Sequence, residues 1–182
     1  MENRLGNYTI YLTEMKEDYL MDIHAYASNA EVCKYQPWGP NSIDDSKAYL
    51  EEVLAEAGKE IRTRYVFAVL EKLNDEMIGA GELFNIDFAN KTGEVGYIIN
   101  PNFWGKGIAT EVAKALLEFG FKKLELNRIY ATCDVRNTAS EIVLKKVGMK
   151  REGLLRENIL LKDRWRDSLL YSVLSREWHP KE

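Results

Sequence analysis

Two glycines one residue apart, Gly105 and Gly107, stand directly before an amphipathic segment in the stretch "NPNFWGKGIATEVAKALLEFG", residues 100 to 120. Glycine loses more conformational freedom on folding than any other residue, so a pair of them at the start of a helix needs a reason. A strand ending near Asn100, a turn, and a helix opening at Ile108 gather the unpaired N–H groups of a first helical turn around one point. The helix dipole reinforces those groups, and glycine removes the side chain that would keep a phosphate away from the backbone. The same pair also serves a tight strand-to-helix turn, and the local spacing fits both readings. Two nucleotide fingerprints do not fit: GxxxxGK followed by Ser or Thr is absent, and Thr110 occupies the third position of GxGxxG.

Other reactive residue types are sparse. Cys33 and Cys133 are far apart and not grouped with the two histidines, His24 and His179, so neither a metal site nor a Cys-His nucleophile pair is expected. A net charge of −4, from 25 Lys plus Arg against 29 Asp plus Glu, speaks against a broad basic face for nucleic acid. The opening "MENRLGNYTIYLTEMKEDYL" carries charges throughout and lacks an apolar stretch, which predicts a cytoplasmic protein without a membrane anchor.

The elements that would position the glycine turn follow from periodicity. "YTIYLTEM" reads as a strand and "KEDYLMDIHAYASN" as a helix with Tyr19, Ile23 and Tyr26 or Ala27 inward. In "NSIDDSKAYLEEVLAEAG", Ser42 is the expected N-cap and Gly58 the stop of a second helix. Three strands, "RYVFAVLEK", "EMIGAGELFNI" and "TGEVGYIIN", are joined by short turn-rich links. A helix over 108–124 follows, with Ile108, Val112, Ala115, Leu116 and Phe119 as its apolar stripe. The strand "NRIYATCDV", a short helix capped by Asn137 or Thr138 and ended by Gly148, and two strands turning at Lys162 and Asp163 complete the chain. With 182 residues and no linker-like segment, the expectation is a single α+β domain over 1–182, a mixed, largely antiparallel sheet of about seven strands with about four helices.

The segment "NFWGKGIATEV" resembles the pyrophosphate loop of the GNAT superfamily of N-acetyltransferases, whose pattern is Gln or Arg, two residues, Gly, one residue, Gly or Ala; Asn102 stands at its first position. The strand "GEVGYIIN", the run "LELNRIYATCDVRNTASEIVLKKVGMKREG" and the closing "WRDSLLYSVL" are similar to the ribosomal-protein N-terminal acetyltransferase branch, the RimJ and RimL group, from about residue 77 to 174. The resemblance implies the GNAT fold and acetyl-CoA as co-substrate, its pyrophosphate held by main-chain N–H groups across Trp104, Gly105, Lys106, Gly107, Ile108 and Ala109, with Lys106 adding charge. It implies a bulge at Ile98, Ile99 and Asn100 that splays this strand from the next parallel one and leaves a gap for the pantetheine arm. A main-chain N–H near Ile98 or Ile99 would then face the thioester oxygen.

Direct transfer from a thioester requires a neutral amine to attack and a thiolate to leave. The NxxS pattern of the branch falls on Asn137 and Ser140; both would contact coenzyme A, with the Ser140 hydroxyl beside the sulfur, although both residue types also favour helix starts. Many relatives, spermidine acetyltransferases among them, have Tyr four residues further on, where this chain has Leu144. Base candidates are Glu82, Glu94 and Glu157, each also readable as a solvated strand residue; the glutamate of the RimL pattern falls on Ile159. Tyr35 and Trp38, in "KYQPWGP", would wall the acceptor site or pack under their loop. Cys133 reads as a small core residue, and "KDRWRD" either places charges near an acceptor or, more simply, is a solvated hairpin end. The expected partner is a peptide N-terminus or a small amine, with no nucleic acid and no membrane, the chain acting as monomer or homodimer. The other readings are a small-amine acetyltransferase for polyamines, antibiotics or amino acids, a non-catalytic acyl-CoA sensor, and a nucleotide-binding domain.

Overall fold

The computed structural model describes residues 10–162 and 164–179. Tyr8 and Thr9 of the first expected strand, and Asp163 of the expected last turn, lie outside these residues. Strand β1 (Ile10–Glu14) is followed by a 3-10 turn at Glu17–Tyr19 and by α1 (Leu20–Ala27), so the helical segment expected as one piece is broken after its first turn. Helix α2 (Ile43–Ala57) opens on a capping box: the Ser42 hydroxyl accepts from the Asp45 N–H at 3.1 Å, and the Asp45 carboxylate accepts from the Ser42 N–H at 2.9 Å. Such a cap stabilises a helix start by about 1 kcal/mol.

Strands β2 (Tyr65–Glu71), β3 (Met77–Asp87) and β4 (Thr92–Ile99) form the expected meander, and α3 (Ile108–Lys122) crosses to β5 (Arg128–Asp134). Helix α4 (Thr138–Lys146) precedes the hairpin β6 (Lys150–Leu161) and β7 (Arg164–Leu174). The sheet order is β1-β2-β3-β4-β5-β7-β6, every neighbour antiparallel except β4 and β5. The α+β architecture of seven strands and four α-helices thus matches the expectation from the sequence.

Each face of the sheet carries its own core. Ile23 and Tyr26 of α1 and Leu50 and Val53 of α2 pack on Val66, Ala68 and Met77. Val112 and Leu116 of α3 and Leu144 of α4 pack on Leu83, Val95, Ile129 and Tyr171 on the opposite face. Phe119 meets the rings of Tyr65 and Phe67 edge-on, with centroids 5.1 and 5.2 Å away. Alternation along each strand feeds both cores, which fixes strand register because a one-residue slip would exchange the faces.

The one parallel contact is short. β4 pairs with β5 only at Thr92↔Arg128, Gly93↔Ile129 and Glu94↔Tyr130, whereas β4 stays paired with β3 as far as Gly79↔Ile99 and β5 with β7 as far as Asp134↔Ser168. Each strand is therefore held along its outer edge while the two diverge from each other after Glu94. The expected bulge at Ile98, Ile99 and Asn100 is not there: β3 and β4 keep one register from Gly79 to Phe84, and their irregularity lies between Phe84 and Asp87. The splay comes with a close approach instead. At Gly79 a Cβ would run into the Ile98 carbonyl oxygen, so only glycine lets β4 lean onto β3 and away from β5.

Candidate active site

At the end of β4 the chain turns on Asn100. Its N–H donates to the Ile78 carbonyl at 2.8 Å, its carbonyl accepts from Phe103 N–H at 2.9 Å, and its side-chain oxygen accepts from Asn102 N–H at 3.1 Å. Asn100 is thus committed to building the turn. Trp104, half-exposed at 51%, gives its indole N–H to the Ile99 carbonyl at 2.7 Å, satisfying an acceptor that the missing β5 partner leaves open.

Gly105 and Gly107 have φ of 76° and 82°, the left-handed region that side chains disfavour, and a Cβ at either would meet nothing within 4 Å. Gly107 is the N-cap of α3 and has no side-chain cap. The first helical N–H with a protein acceptor is that of Thr110, bonded to the Gly107 carbonyl at 3.0 Å. Among the described residues, the N–H groups of Gly105, Lys106, Gly107, Ile108 and Ala109 find no acceptor. Trp104 does not belong to this set, since its main-chain N–H donates to the Pro101 carbonyl at 3.1 Å. Lys106 holds its ammonium over the Phe103 ring, 4.7 Å from the centroid. An open cluster of donors at a helix start, with a cation beside it, fits a diphosphate.

A cleft of about 1290 Å³ runs from the loop 35–40 through the gap between β4 and β5 to α4. Hydrogen bonding alternates along a strand, and Asn100 N–H points to β3; the N–H groups of Tyr97 and Ile99 therefore face the gap, and that of Ile98 does not. On the α4 side, Asn137 caps the helix by accepting from Ser140 N–H at 3.1 Å. The Ser140 hydroxyl is not used for capping. It lies 3.1 Å from the Tyr97 hydroxyl, which bridges the gap from β4. Burial pushes the Tyr97 phenol well above its ordinary pKa, so it is a proton-bearing donor at neutral pH. Tyr97 was missed in the sequence because nothing local tells a strand tyrosine that packs from one that reaches across a gap.

Glu82 and Glu94 both line the cleft, on neighbouring strands. Glu82 is tied to Arg64, with Nε at 3.0 Å and Nη2 at 2.9 Å from its carboxylate, and Arg64 also holds Glu52 at 2.7 Å. Glu94 has no cation; Asn85 donates to it at 3.0 Å and Thr132 at 3.2 Å. Burial raises its pKa above the usual carboxylate range, against the effect of those hydrogen bonds. Glu157 is placed elsewhere: it is exposed, has a left-handed φ of 48° at a register shift of β6, and is not on the cleft, whereas Ile159 is. The left-handed backbone and the shift turn its side chain out of the alternation on which the expectation rested.

Tyr35 and Trp38 both line the cleft, and the Tyr35 hydroxyl donates to the Arg136 carbonyl at 3.3 Å. Cys133 is buried, and burial pushes its thiol up to about 11, which makes it a poor nucleophile at neutral pH. Of the two readings of "KDRWRD", the solvated hairpin end does not hold at Arg166, which is only 7% exposed. It donates from Nε to Ser168 Oγ at 2.9 Å and from Nη1 to the Tyr35 carbonyl at 3.0 Å, and it lines the cleft. The inward register of β7 opposite Ile159 was the signal that would have found it. No group of three or more possible metal ligands occurs among the described residues.

Comparison with known proteins follows the same lines. Residues 9–150 match a family model described as the acetyltransferase (GNAT) domain. The chain is similar to the uncharacterised N-acetyltransferase YnaD of Bacillus subtilis, with 36% identity over 86% of this chain and 88% of the relative. It is also similar to two Escherichia coli proteins: the ribosomal-protein-serine acetyltransferase, at 27% over 84% of this chain and 91% of the relative, and the spermidine N(1)-acetyltransferase, at 23% over 94% and 89%. Among solved structures, a GNAT-family acetyltransferase of Bacillus anthracis superposes with a TM-score of 0.84 at 29% identity, covering 97% of this chain and all of that one. The microcin C7 self-immunity acetyltransferase MccE, solved in complex with acetyl-CoA and AMP, superposes with a TM-score of 0.81 at 25% identity, covering 92% and 93%.

Proposed function

The chain belongs to the GNAT acetyltransferase family, and from that premise we propose that it transfers the acetyl group of acetyl-CoA directly to a primary amine, most simply the N-terminal α-amine of a peptide or ribosomal protein. The observation that carries the reading is the continuity of one cleft from the aromatic loop 35–40 to Ser140, passing through the gap that β4 and β5 leave between them. A thioester entering from the α3 side and an amine entering from the loop side would meet in that gap.

Acetyl-CoA as co-substrate fits the residues present. Its diphosphate would accept from the free N–H groups of Gly105 to Ala109, with Lys106 as a nearby counter-charge, and its pantetheine amides would use the open edge of β4. Glu94 is the base we assign. It forms no ion pair among the described residues, and burial raises its affinity for a proton, so it suits removal of one from an ammonium group directly or through water. Glu82, already neutralised by Arg64, does not compete for that part.

The neutral amine nitrogen then bonds to the carbonyl carbon, the carbon–sulfur bond breaks, and the second nitrogen proton leaves to the departing thiolate, which becomes the free thiol. Negative charge develops first on the carbonyl oxygen, where the Ile99 N–H is the donor on the gap side, and then on sulfur. Ser140 offers its hydroxyl hydrogen to that sulfur, and the Tyr97 hydroxyl, which donates to the Ser140 carbonyl at 3.3 Å and lies 3.1 Å from the Ser140 hydroxyl, holds that residue in place across the gap. The buried, protonated Cys133 gives no support to a covalent acyl-enzyme.

A small amine as acceptor has one observation in its favour, the carboxylate of Glu94 on the cleft, which forms no ion pair among the described residues and would suit any cationic amine. The first measurement is a thermal shift with acetyl-CoA, expected to stabilise by about 2.7 kcal/mol at a hundredfold excess over Kd. Release of free thiol with peptides and with small amines follows. Absence of any shift would remove the co-substrate, and a shift without thiol release from any amine would turn the reading into an acyl-CoA sensor.

A further inference from the structure

Most ionised groups lining the cleft already have partners. Glu82 and Glu52 share Arg64, Asp134 holds Arg136 through two oxygens at 2.8 and 2.6 Å, Glu56 pairs with Lys59, and the Asp45 carboxylate closes the cap of α2. Two remain without an ion pair among the described residues, and they have opposite charge: Glu94 and Arg166. Arg166 is the more informative. A guanidinium has five N–H donors, and only two here have protein acceptors, a serine hydroxyl and a main-chain carbonyl. Removing such a group from water is costly unless its donors are met, yet it is retained at 7% exposure in a sheet position. Its Nη2 has no hydrogen-bond partner among the described residues, and the residue lines the cleft.

We propose that Arg166 recognises the acceptor, its free guanidinium donors taking a carbonyl or carboxylate oxygen carried next to the attacking amine. The substrate class is then an α-amine with an adjacent carbonyl, as in a peptide N-terminus or an amino acid, and not a polyamine. This deepens the N-acetyltransferase reading and rests on it. The two unpaired groups of the cleft complement that unit as a pair: Glu94 meets the amine and Arg166 the oxygen beside it. A polyamine would satisfy Glu94 but bring a second cation towards a buried guanidinium, an element that repels the wrong ligand. Arg166 also ties the acceptor wall to the sheet through the Tyr35 carbonyl, so an oxygen bound by its remaining donors lies beside the aromatic loop. The neighbouring Ile159, on the paired strand, offers no carboxylate, and Asp134, which acts on Arg166 through space, spends both its oxygens on Arg136.

The test compares three matched acceptors on the CoA-saturated protein: the tripeptide Ala-Gly-Gly, free alanine, and propylamine, with spermidine alongside. Binding is read by titration calorimetry, which does not depend on turnover, and transfer by free thiol. The native protein is expected to bind the tripeptide or alanine at least tenfold more tightly than propylamine or spermidine, the effect of about one charged hydrogen bond. Arg166→Gln should raise KM for the carbonyl-bearing acceptor about tenfold or more with kcat within about threefold. It should leave propylamine unchanged, and Arg166→Lys should recover part of the loss. Ser168→Ala, which removes one anchor but keeps the guanidinium, should retain the preference. Preference of tripeptide over alanine would place the partner as a peptide end; the reverse would place it as a free amino acid, and either supports the class. The proposal is overturned if propylamine or spermidine binds as well as the tripeptide and alanine, if neither carbonyl-bearing acceptor binds, or if Arg166→Gln weakens all amines equally, which is what loosening of the Tyr35 loop alone would do. If the preference appears in binding while no amine is acetylated, the transferase reading fails and the recognition by Arg166 stands.

Discussion

The proposed donor site and the cleft proposed for the acceptor are built by different means. At the proposed donor end, the N–H groups of Gly105 to Ala109 are set by the backbone of one turn and one helix start, so recognition there would depend on two positive φ angles and on the absence of side chains. At the acceptor end the groups are side chains drawn from separated segments: Tyr35 and Trp38 from a loop, Arg64 before β2, Glu94 from β4 and Arg166 from β7. A main-chain site is local and tolerates most substitutions of neighbouring residue type. A side-chain site is assembled by the sheet and changes with any one member. Chemistry common to a family suits the first end, and choice of substrate suits the second.

The sharpest way to break this division is Glu94→Gln. If Glu94 takes the amine proton, kcat falls by about 10²–10⁴ while binding of acetyl-CoA is untouched. The sign of the pH dependence follows from its raised pKa: only the deprotonated carboxylate accepts a proton, so kcat/KM falls as pH drops through that pKa, at a pH above the usual carboxylate range. The Glu94→Gln enzyme should lack that acidic limb, and a limb of unchanged position in the variant would move the base elsewhere.

Next in size is the donor end. Gly105→Val and Gly107→Val place a β-branched residue at φ of 76° and 82°, a strain of about 1–3 kcal/mol at each site, and crowd the N–H cluster. We expect KM for acetyl-CoA to rise about tenfold to a hundredfold, from the loss of one or two charge-assisted hydrogen bonds, with acceptor KM unchanged. Equal loss on both substrates would show that the two ends are not separable.

The same division explains what could be read without coordinates. Gly105, Gly107 and the helix opening at Ile108 are one contiguous segment, so their joint role was legible. The strands and helices were legible because each buries one face and follows its period, and Ser42 announced its helix by the capping pattern. Register was not. Whether β4 leaves β5 by a bulge or by leaning onto Gly79 is decided by backbone packing between strands, which residue type hardly encodes. Glu157 was read as a base candidate on its strand and Arg166 as part of a hairpin end, and only the pairing of the two strands turns Arg166 inward and leaves Glu157 in solvent. Tyr97 and Ser140 are 43 residues apart in sequence and meet only because β4 and β5 part.

That meeting gives the third prediction. Tyr97→Phe removes one hydroxyl and keeps the ring packed on the α3 core, so the fold should be retained. If Tyr97 acts by holding the Ser140 hydroxyl in place beside sulfur, kcat should fall about tenfold with both KM values unchanged. In a Ser140→Ala background the same change should cost nothing further, because the residue through which it acts is gone. Full additivity of the two losses would assign Tyr97 a separate part or a purely structural one.

The smallest effect is expected at Glu157, and it is informative for that reason. Glu157 belongs to the same strand as Ile159 and stands only two residues before it, yet Ile159 lines the cleft and Glu157 does not. Its main-chain N–H is held by the Asp167 carboxylate at 2.8 Å, and its left-handed backbone sits where β6 and β7 lose register between Leu155 and Ile159. The side chain of Glu157→Gln would remain in solvent, so kcat, both KM values and the acidic limb of the pH profile should all stay within about twofold of the native enzyme, as for surface substitutions generally. A tenfold fall in kcat, or a displaced acidic limb, would mean that β6 shifts its register when an acceptor binds. The acceptor end would then be formed by its substrate, whereas the N–H cluster of the donor end already stands open.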